Sequence, residues 1–255
     1  MSARVDAVLF DLDDTLFDQR VWLQGAWRAV ASTGASEFGI GERQLFDALV
    51  EISAEGSDRG RIIDRALARI GLRSSALVVE PLVEAFRAHR PPELPPYPGV
   101  DVALRTLGSR VPLALVTDGD PDIQRAKLDA LGLAHAFAVV VLTDRLDGGR
   151  AARKPNPVGL LHALSQLFVE PEAAVYVGDR PDKDIAAAHA AGMRAIRVRT
   201  GEYRHVDNAD PPWHDVPSAV AAATLLTTAI LRVDNAPIGG TSTLRMQEGG
   251  VGGGR

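Results

Sequence analysis

The stretch that most constrains this chain lies at its start, where a short apolar run ends in a crowd of carboxylates. Residues 7–10 read Ala-Val-Leu-Phe, and Asp11, Asp13 and Asp14 follow directly. An apolar run bounded in this way is typical of a buried strand. Open α/β sheets keep their ligands at the carboxyl ends of such strands. Because carboxylates this close repel one another, the sequence predicts that a cation or a proton relieves the repulsion, and a divalent metal is the natural candidate.

Composition narrows the class of protein. With 255 residues, 46% of them hydrophobic, the chain can bury one large or two modest cores. It has no cysteine, so any metal must be held by oxygen or imidazole. The formal net charge of −5 argues against a nucleic-acid polymer as partner. No apolar segment approaches the roughly 20 residues that cross a bilayer, and no signal peptide is recognisable. We therefore expect a cytoplasmic protein without a membrane partner.

Two differently patterned regions follow the first strand. Residues 18–90 carry helical patterns and nothing that resembles a strand of a parallel sheet. The predicted helices there span residues 19–33, 42–54, 59–70 and 80–89. The proline-rich residues 91–99 end this block, and we favour a hinge there over a loop packed on the surface.

Beyond residue 99, short apolar runs alternate with amphipathic helices, which predicts an α/β fold with a doubly wound parallel sheet. The predicted strands are 112–116, 138–142, 174–177 and 195–198. The predicted helices are 100–107, 120–131, 157–167, 182–191 and 218–231, with a loop over 201–217. We expect a core domain of residues 1–17 and 96–232, a helical insertion of residues 18–95, and a disordered glycine-rich tail of residues 233–255.

Four polar segments fall at the ends of predicted strands or at the start of a predicted helix. They are residues 11–15, 117–119, 154–157 and 178–184. In a parallel sheet such segments converge on one crevice. A lysine, a hydroxyl, backbone amides beside glycine and several carboxylates suit phosphoryl transfer, with the carboxylates holding Mg²⁺. The sequence therefore predicts one catalytic crevice.

In their order, and in their positions after a strand or before a helix, these segments resemble the four motifs of the haloacid dehalogenase superfamily, whose hydrolases use an aspartate nucleophile on a Rossmann-like core. The resemblance covers residues 5–199 apart from the helical insertion. That insertion is similar to the family's C1 cap, a small helical bundle that closes over the active site. The resemblance implies a magnesium-dependent phosphatase that acts on a small phosphorylated metabolite.

The resemblance also implies a role for each motif residue. Asp11 would attack phosphorus to form an aspartyl-phosphate, and Asp13 would act as general acid and then as general base. Lys154 would pair with Asp11 and with the phosphoryl group. Thr117 would donate to a phosphoryl oxygen, and the backbone amide of Asp118 would be a further contact to the phosphate.

The magnesium ligands implied by the resemblance come from three of the motifs. Asp11 and Asp179 would bind the metal directly, together with the backbone carbonyl of Asp13. Asp184 would act through a bound water. Asp182, by contrast, is expected to stabilise the start of a helix.

Some positions depart from the family pattern or carry no catalytic assignment. Asp118 stands where asparagine is common, so its side chain is expected to point away from the phosphate. Lys183 also stands where relatives often have asparagine. Thr15 is expected to fix the turn after the first strand, and Asp14 to be a solvated turn residue.

Several alternatives stay open at the level of sequence. A phosphomutase needs the same residues, and a regulatory module could keep the fold without catalysis. A dehalogenase is disfavoured because departing halide needs no proton from Asp13. A phosphonatase is disfavoured because residues 18–95 contain no lysine. Trp22 and Trp27 are expected to pack in a core, and Arg61 and Arg65 either to bind a second anion or to be solvated. The natural substrate and the oligomeric state are not predicted.

Overall fold

The apolar runs of the sequence form a parallel sheet in the computed structural model, which describes residues 4–56 and 59–234. The strands are β1 (Ala7–Phe10), β2 (Leu113–Thr117), β3 (Val139–Leu142), β4 (Ala174–Gly178), β5 (Arg194–Val198) and β6 (His214–Val216). Their order across the sheet is β3-β2-β1-β4-β5-β6, and every neighbouring pair is parallel. Strands β2 and β3 therefore extend the sheet on one side of β1, and β4, β5 and β6 extend it on the other. This order confirms the predicted doubly wound α/β fold.

Helices cover both faces of this sheet. The helices are α1 (Gln19–Phe38), α2 (Glu42–Ser53), α3 (Ile62–Arg69), α4 (Ala76–Ala88), α5 (Val100–Gly108), α6 (Pro121–Ala130), α7 (Val158–Leu167), α8 (Ala186–Ala190) and α9 (Ala219–Asp234). Val8 and Phe10 of β1 belong to the apolar cluster that includes residues of α5, α6 and α9. Ala7 and Leu9 belong to the cluster that includes residues of α7 and α8. Because β1 is buried on both faces, its sequence is apolar throughout rather than alternating.

Helices α1 to α4 form an apolar cluster of their own within residues 18–90, which includes Trp27, Leu45 and Leu82. The predicted end of α1 near Gly34 was wrong, because the helix continues to Phe38 and ends at Gly39, whose φ is 65°. A Cβ on Gly34 would lie 2.6 Å from Leu45 Cδ2, so this glycine allows α2 to approach α1 closely. The division at residues 18 and 95 stays a prediction.

Other predicted boundaries also shift. Residues 214–216, expected as loop, form the edge strand β6, whose three residues (His-Asp-Val) are too few to give an apolar run. Helix α4 begins one turn before the predicted start, with Pro81 inside it. Residues 181–185 form a wider π-type turn before the short helix α8.

The proline-rich segment of residues 91–99 is fastened to the core at two points. Leu94 is buried and its N–H donates to the carbonyl of Ala130 at 2.9 Å. The N–H of Tyr97 donates to the carbonyl of Leu16 at 2.8 Å. The segment therefore crosses from the helical insertion to the core along a packed path.

At the other end of the chain, α9 continues to Asp234, two residues into the segment predicted to be a disordered tail. The rest of that tail lies outside the described residues. Within the described ranges, no helix combines the length and the apolar character that a bilayer crossing requires.

The turn after β1 is held by the distant loop between β5 and β6. Asp14 has a φ of 57°, and its carboxylate accepts from the N–H groups of Gln19 and Glu202, both at 3.0 Å. Burial raises its pKa. The expectation that Asp14 is solvated was wrong, since it is only 4% exposed. Gly201 makes this contact possible, because a Cβ there would lie 2.1 Å from Asp14 Cγ.

We predict that Gly201→Ala lowers the free energy of unfolding by more than Gly39→Ala does. Both glycines have φ near 65°, but only Gly201 has a neighbour in the space that the new methyl group needs. The left-handed backbone costs an alanine about 1–2 kcal/mol at either site, and overpacking against Asp14 adds about 1–3 kcal/mol. Urea denaturation measures both losses, and equal losses would contradict the close contact at Gly201.

Candidate active site

The polar segments predicted to converge lie together at the carboxyl ends of β1, β2 and β4. Asp11 follows β1, Thr117 ends β2 and Asp179 follows β4. A cavity of about 550 Å³ opens above them. Its walls include the catalytic candidates on one side, and Trp22 and Trp27 of the helical insertion on the other. The cavity therefore lies between the sheet edge and the insertion.

A buried lysine forms the centre of this site. Lys154 Nζ lies 2.5 Å from Asp11 Oδ1 and 2.7 Å from Asp184 Oδ1. It also donates to the hydroxyl of Tyr176 at 2.9 Å. Burial alone lowers the pKa of this ammonium, but Asp11 and Asp184 together raise it well above its usual value. Lys154 therefore stays charged and fixes both carboxylates.

Tyr176 is a site residue that the sequence pattern did not single out. It lies in the middle of β4, fully buried, and its hydroxyl donates to the carbonyl of Val116 at 3.2 Å. In a strand that is buried on both faces, the apolar pattern does not distinguish a tyrosine from the other core residues. Its hydroxyl could have indicated a polar contact, because a buried hydroxyl needs a hydrogen-bond partner.

The carboxylates of this site carry more negative charge than one lysine offsets. Each of Asp11, Asp179 and Asp184 is buried, and each offers an oxygen within 4.8 Å of the others. Burial raises the pKa of Asp11 to about 7, an effect that Lys154 opposes and Asp184 strengthens. Burial and the neighbouring Asp184 also raise the pKa of Asp179. An all-oxygen group with uncompensated negative charge fits a hard divalent cation such as Mg²⁺.

The shape of β4 brings Asp184 into this group. Its Oδ2 accepts from the N–H of Arg180 at 2.9 Å, which leaves Oδ1 to Lys154. A Cβ on Gly178, the last residue of β4, would lie 2.5 Å from Asp184 Cγ. The glycine is therefore required so that this carboxylate can reach the site.

Hydrogen bonds from neighbouring side chains and backbone hold the second motif, residues 117–119, in place. The hydroxyl of Thr117 accepts from Gln124 Nε2 at 2.6 Å. Asp118 Oδ1 accepts from the hydroxyl of Thr143 at 2.8 Å and from the N–H of Lys154 at 3.3 Å. Asp118 Oδ2 is buried and has no hydrogen-bond partner in the described part of the chain. The side chain of Asp118 thus joins the second motif to the third.

Asp13 lies apart from the three-carboxylate group. Its Oδ1 accepts from Lys127 Nζ at 2.7 Å and its Oδ2 from Gln124 Nε2 at 2.8 Å. Neither partner was singled out from the sequence. Both are polar residues on the buried side of α6, next to the apolar Ile123 and Leu128. Polar residues on an otherwise apolar helix face could have indicated from the sequence that they have a buried polar partner.

The remaining candidates lie around this centre. Thr15 donates to Asp11 Oδ2 at 3.5 Å. Asp182 pairs with Arg180 at 2.7 Å on the surface and is not in the three-carboxylate group. Arg61 lines the cavity and pairs with Asp64 at 3.3 Å, while Arg65 pairs with Glu55.

We predict that Gly178→Ala weakens Mg²⁺ binding by about 10-fold or more, as expected when a residue that orients metal ligands is disturbed. The added methyl group would displace the carboxylate of Asp184. Gly41→Ala is the matched control, since the atoms nearest to its new Cβ lie at ordinary contact distances of 3.5 and 3.6 Å. Isothermal titration calorimetry measures the affinities, and an unchanged affinity in Gly178→Ala would contradict the arrangement.

Comparison with known proteins agrees with the fold and with the motifs. The sequence model described as haloacid dehalogenase-like hydrolase matches residues 5–192. The chain belongs to this family of hydrolases, as the four motifs predicted.

Named relatives include phosphatases. A glyceraldehyde 3-phosphate phosphatase of Methanopyrus kandleri is 37% identical over 80% of this chain and 88% of its own length. The fructose-1-phosphate phosphatase YqaB of Escherichia coli is 33% identical over 78% of this chain and 99% of its own length. Among solved structures, a 2-haloacid dehalogenase from Pseudomonas syringae pv. Tomato DC3000 is similar with a TM-score of 0.60 and 27% identity, over 88% of this chain and 99% of that one.

Proposed function

We propose that this protein is a magnesium-dependent phosphatase that hydrolyses a small phosphomonoester through an aspartyl-phosphate on Asp11. The observation that carries the proposal is the buried Lys154, which bridges Asp11 and Asp184 while Asp13 lies separately at the same cavity. A nucleophile, a fixed cation and a separate carboxylate are the groups that this chemistry needs. The names of the relatives from M. kandleri and E. coli support a phosphorylated metabolite as substrate.

The reaction has two halves. In the first, an oxygen of Asp11 forms a bond to phosphorus while the ester P–O bond breaks, and Asp13 gives its proton to the departing oxygen. In the second, Asp13 takes a proton from a water whose oxygen attacks phosphorus. The bond between phosphorus and Asp11 then breaks, phosphate leaves, and both aspartates return to their first state. Asp13 therefore serves as acid once and as base once.

The positive charges of the site would allow the anionic phosphate to approach the carboxylate of Asp11. Asp11 and Asp179 would hold Mg²⁺ directly, with the backbone carbonyl of Asp13, and Asp184 through a water. When bound, the metal supplies positive charge that lets a phosphate approach a carboxylate. Lys154 adds charge at Asp11, and Thr117 binds a phosphoryl oxygen.

The helical insertion would act as the cap of this site. Trp22, Trp27, Ile62 and Phe86 belong to the insertion and line the cavity over the catalytic residues. The same segment also contributes the charged lining residues Arg61, Asp64 and Arg87. A lid over the site excludes bulk water and strengthens the electrostatic interactions beneath it. We therefore assign residues 18–95 as the cap, and residues 1–17 and 96–232 as the core.

The likeness to a haloacid dehalogenase raises a second reaction of the same fold. A halide departs as an anion and needs no proton, so Asp13 would have no task in that reaction. A phosphomutase would use the same residues but return the phosphoryl group to a sugar. Product analysis separates the three reactions.

We predict that the wild-type protein releases phosphate in a panel containing glyceraldehyde 3-phosphate, fructose 1-phosphate, phosphoglycolate and phosphoserine. Chelation of Mg²⁺ or Asp11→Asn should lower the rate by about 10³-fold or more, since each removes a group required for the covalent step. Asp122→Asn, on the exposed side of α6, is the control and should retain activity. Equal rates for wild type and Asp11→Asn would sink the proposal, and isomerisation of a sugar phosphate without phosphate release would favour a mutase.

Asp118→Asn should lower KM for phosphomonoesters about threefold with kcat nearly unchanged. The variant removes a negative charge beside the expected phosphate site, which weakens electrostatic repulsion. It keeps the oxygen that accepts from Thr143 and from the N–H of Lys154. Steady-state kinetics measure the effect, with Asp122→Asn as control, and an increase in KM would show that the carboxylate of Asp118 helps to bind substrate.

A further inference from the structure

Lys127 is a buried cation for which the proposed reaction has no assigned role. It lies in α6 and is only 4% exposed. Its Nζ is 2.7 Å from Asp13 Oδ1, and no other carboxylate of the described residues lies within ion-pair distance of it. A lysine is seldom buried unless its charge is compensated. The position of Lys127 is therefore tied to the charge of Asp13.

Gln124, one helical turn earlier, holds the other oxygen of the same carboxylate. Its Nε2 donates to Asp13 Oδ2 at 2.8 Å and to the hydroxyl of Thr117 at 2.6 Å. The two donors on α6 together fix both oxygens of Asp13. A carboxylate has about four lone-pair sites, so each oxygen keeps capacity for a proton or a water. Asp13 is thus oriented without being blocked.

The helical insertion closes the far side of this lysine. Lys127 Nζ lies 4.6 Å from the ring centroid of Trp22, and this ring packs edge-on against Phe86 at 5.1 Å. An ammonium over an indole face is stabilised by the negative charge of the π system. Trp22 is 2% exposed, so the ammonium has little access to water. In this environment its charge acts on Asp13 with little screening.

We propose that Lys127 is the positioning residue of the acid–base step: it aims Asp13 at the leaving oxygen and stabilises the carboxylate that remains after proton transfer. The inference rests on the proposed function. In the first half-reaction the O–H bond of Asp13 and the ester P–O bond both break. The leaving oxygen keeps the electron pair of the ester bond and takes the proton. The new negative charge on Asp13 then faces the ammonium of Lys127 at ion-pair distance.

Leaving groups of different basicity test this assignment. An alkoxide needs a proton to leave, whereas dinitrophenolate leaves without one. In Lys127→Met, kcat/KM for the best alkyl phosphate of the panel, with glyceraldehyde 3-phosphate tried first, should fall about 30-fold or more, since general acid catalysis contributes about 10²–10⁴-fold. For 2,4-dinitrophenyl phosphate, kcat/KM should change by less than about threefold. A purely structural or substrate-binding role would lower both values equally.

Three further variants test whether the effect comes from the charge and position of Lys127. Arg125→Met removes a cation from the exposed side of the same helix and should leave both kcat/KM values unchanged. Lys127→Arg keeps the charge and should lose less activity on the alkyl phosphate than Lys127→Met does. Lys127→Gln keeps a neutral donor, and it serves as the second variant if Lys127→Met is unfolded in a thermal melt. The same dependence on leaving group is expected in Lys127→Gln.

The outcomes separate this proposal from the proposed function. Equal losses on both substrates, or no loss on either, would overturn the role of Lys127 while the wild-type enzyme still turned over both. A wild-type protein that hydrolyses neither substrate with Mg²⁺ would overturn the phosphatase proposal and this one together. A loss confined to the alkyl phosphate would support Lys127 as the residue that positions Asp13.

Discussion

The site depends on one interaction, the buried ammonium of Lys154 held between Asp11 and Asp184. Removing two carboxylates from water is costly, and the cost is tolerated only when charge and hydrogen bonds compensate it. Lys154 supplies one charge, and Tyr176 orients it. Asp179 leaves an excess of negative charge that suits a divalent cation. Burying these charged groups lowers the stability of the fold, but their mutual contacts keep the carboxylates and Lys154 in place before substrate binds.

Two glycines that are distant in sequence leave room for aspartate side chains at and near the site. Gly178 at the end of β4 leaves room for Asp184, and Gly201 leaves room for Asp14. The loop between β5 and β6 thereby supports the turn that presents Asp11 and Asp13. Asp184 and the turn after β1 are thus each held at positions that a side chain larger than glycine would block. The rest of the sheet is ordinary close-packed core.

Asp13, the carboxylate proposed for acid–base catalysis, belongs to a second layer of the site, which is built on α6 and closed by the helical insertion. Gln124 links Asp13 with Thr117, and Trp22 of the insertion covers the lysine that pairs with Asp13. A movement of the insertion would therefore change the surroundings of Asp13 as well as the access of water. Substrate binding under the insertion and proton transfer at Asp13 would be coupled through this contact.

The sequence by itself determined the parallel α/β fold and the motif residues that meet at its edge. Apolar runs and strand-end polar segments are local signals, and parallel topology brings strand ends together. Only the tertiary structure revealed Tyr176, Gln124 and Lys127, the burial of Asp14, and the edge strand β6. Those features depend on contacts between residues far apart in the chain, such as the contact between Asp13 and Lys127, whose sequence separation is 114. No local pattern records which buried polar groups will meet, because burial and partner are decided together by the packing of the whole domain.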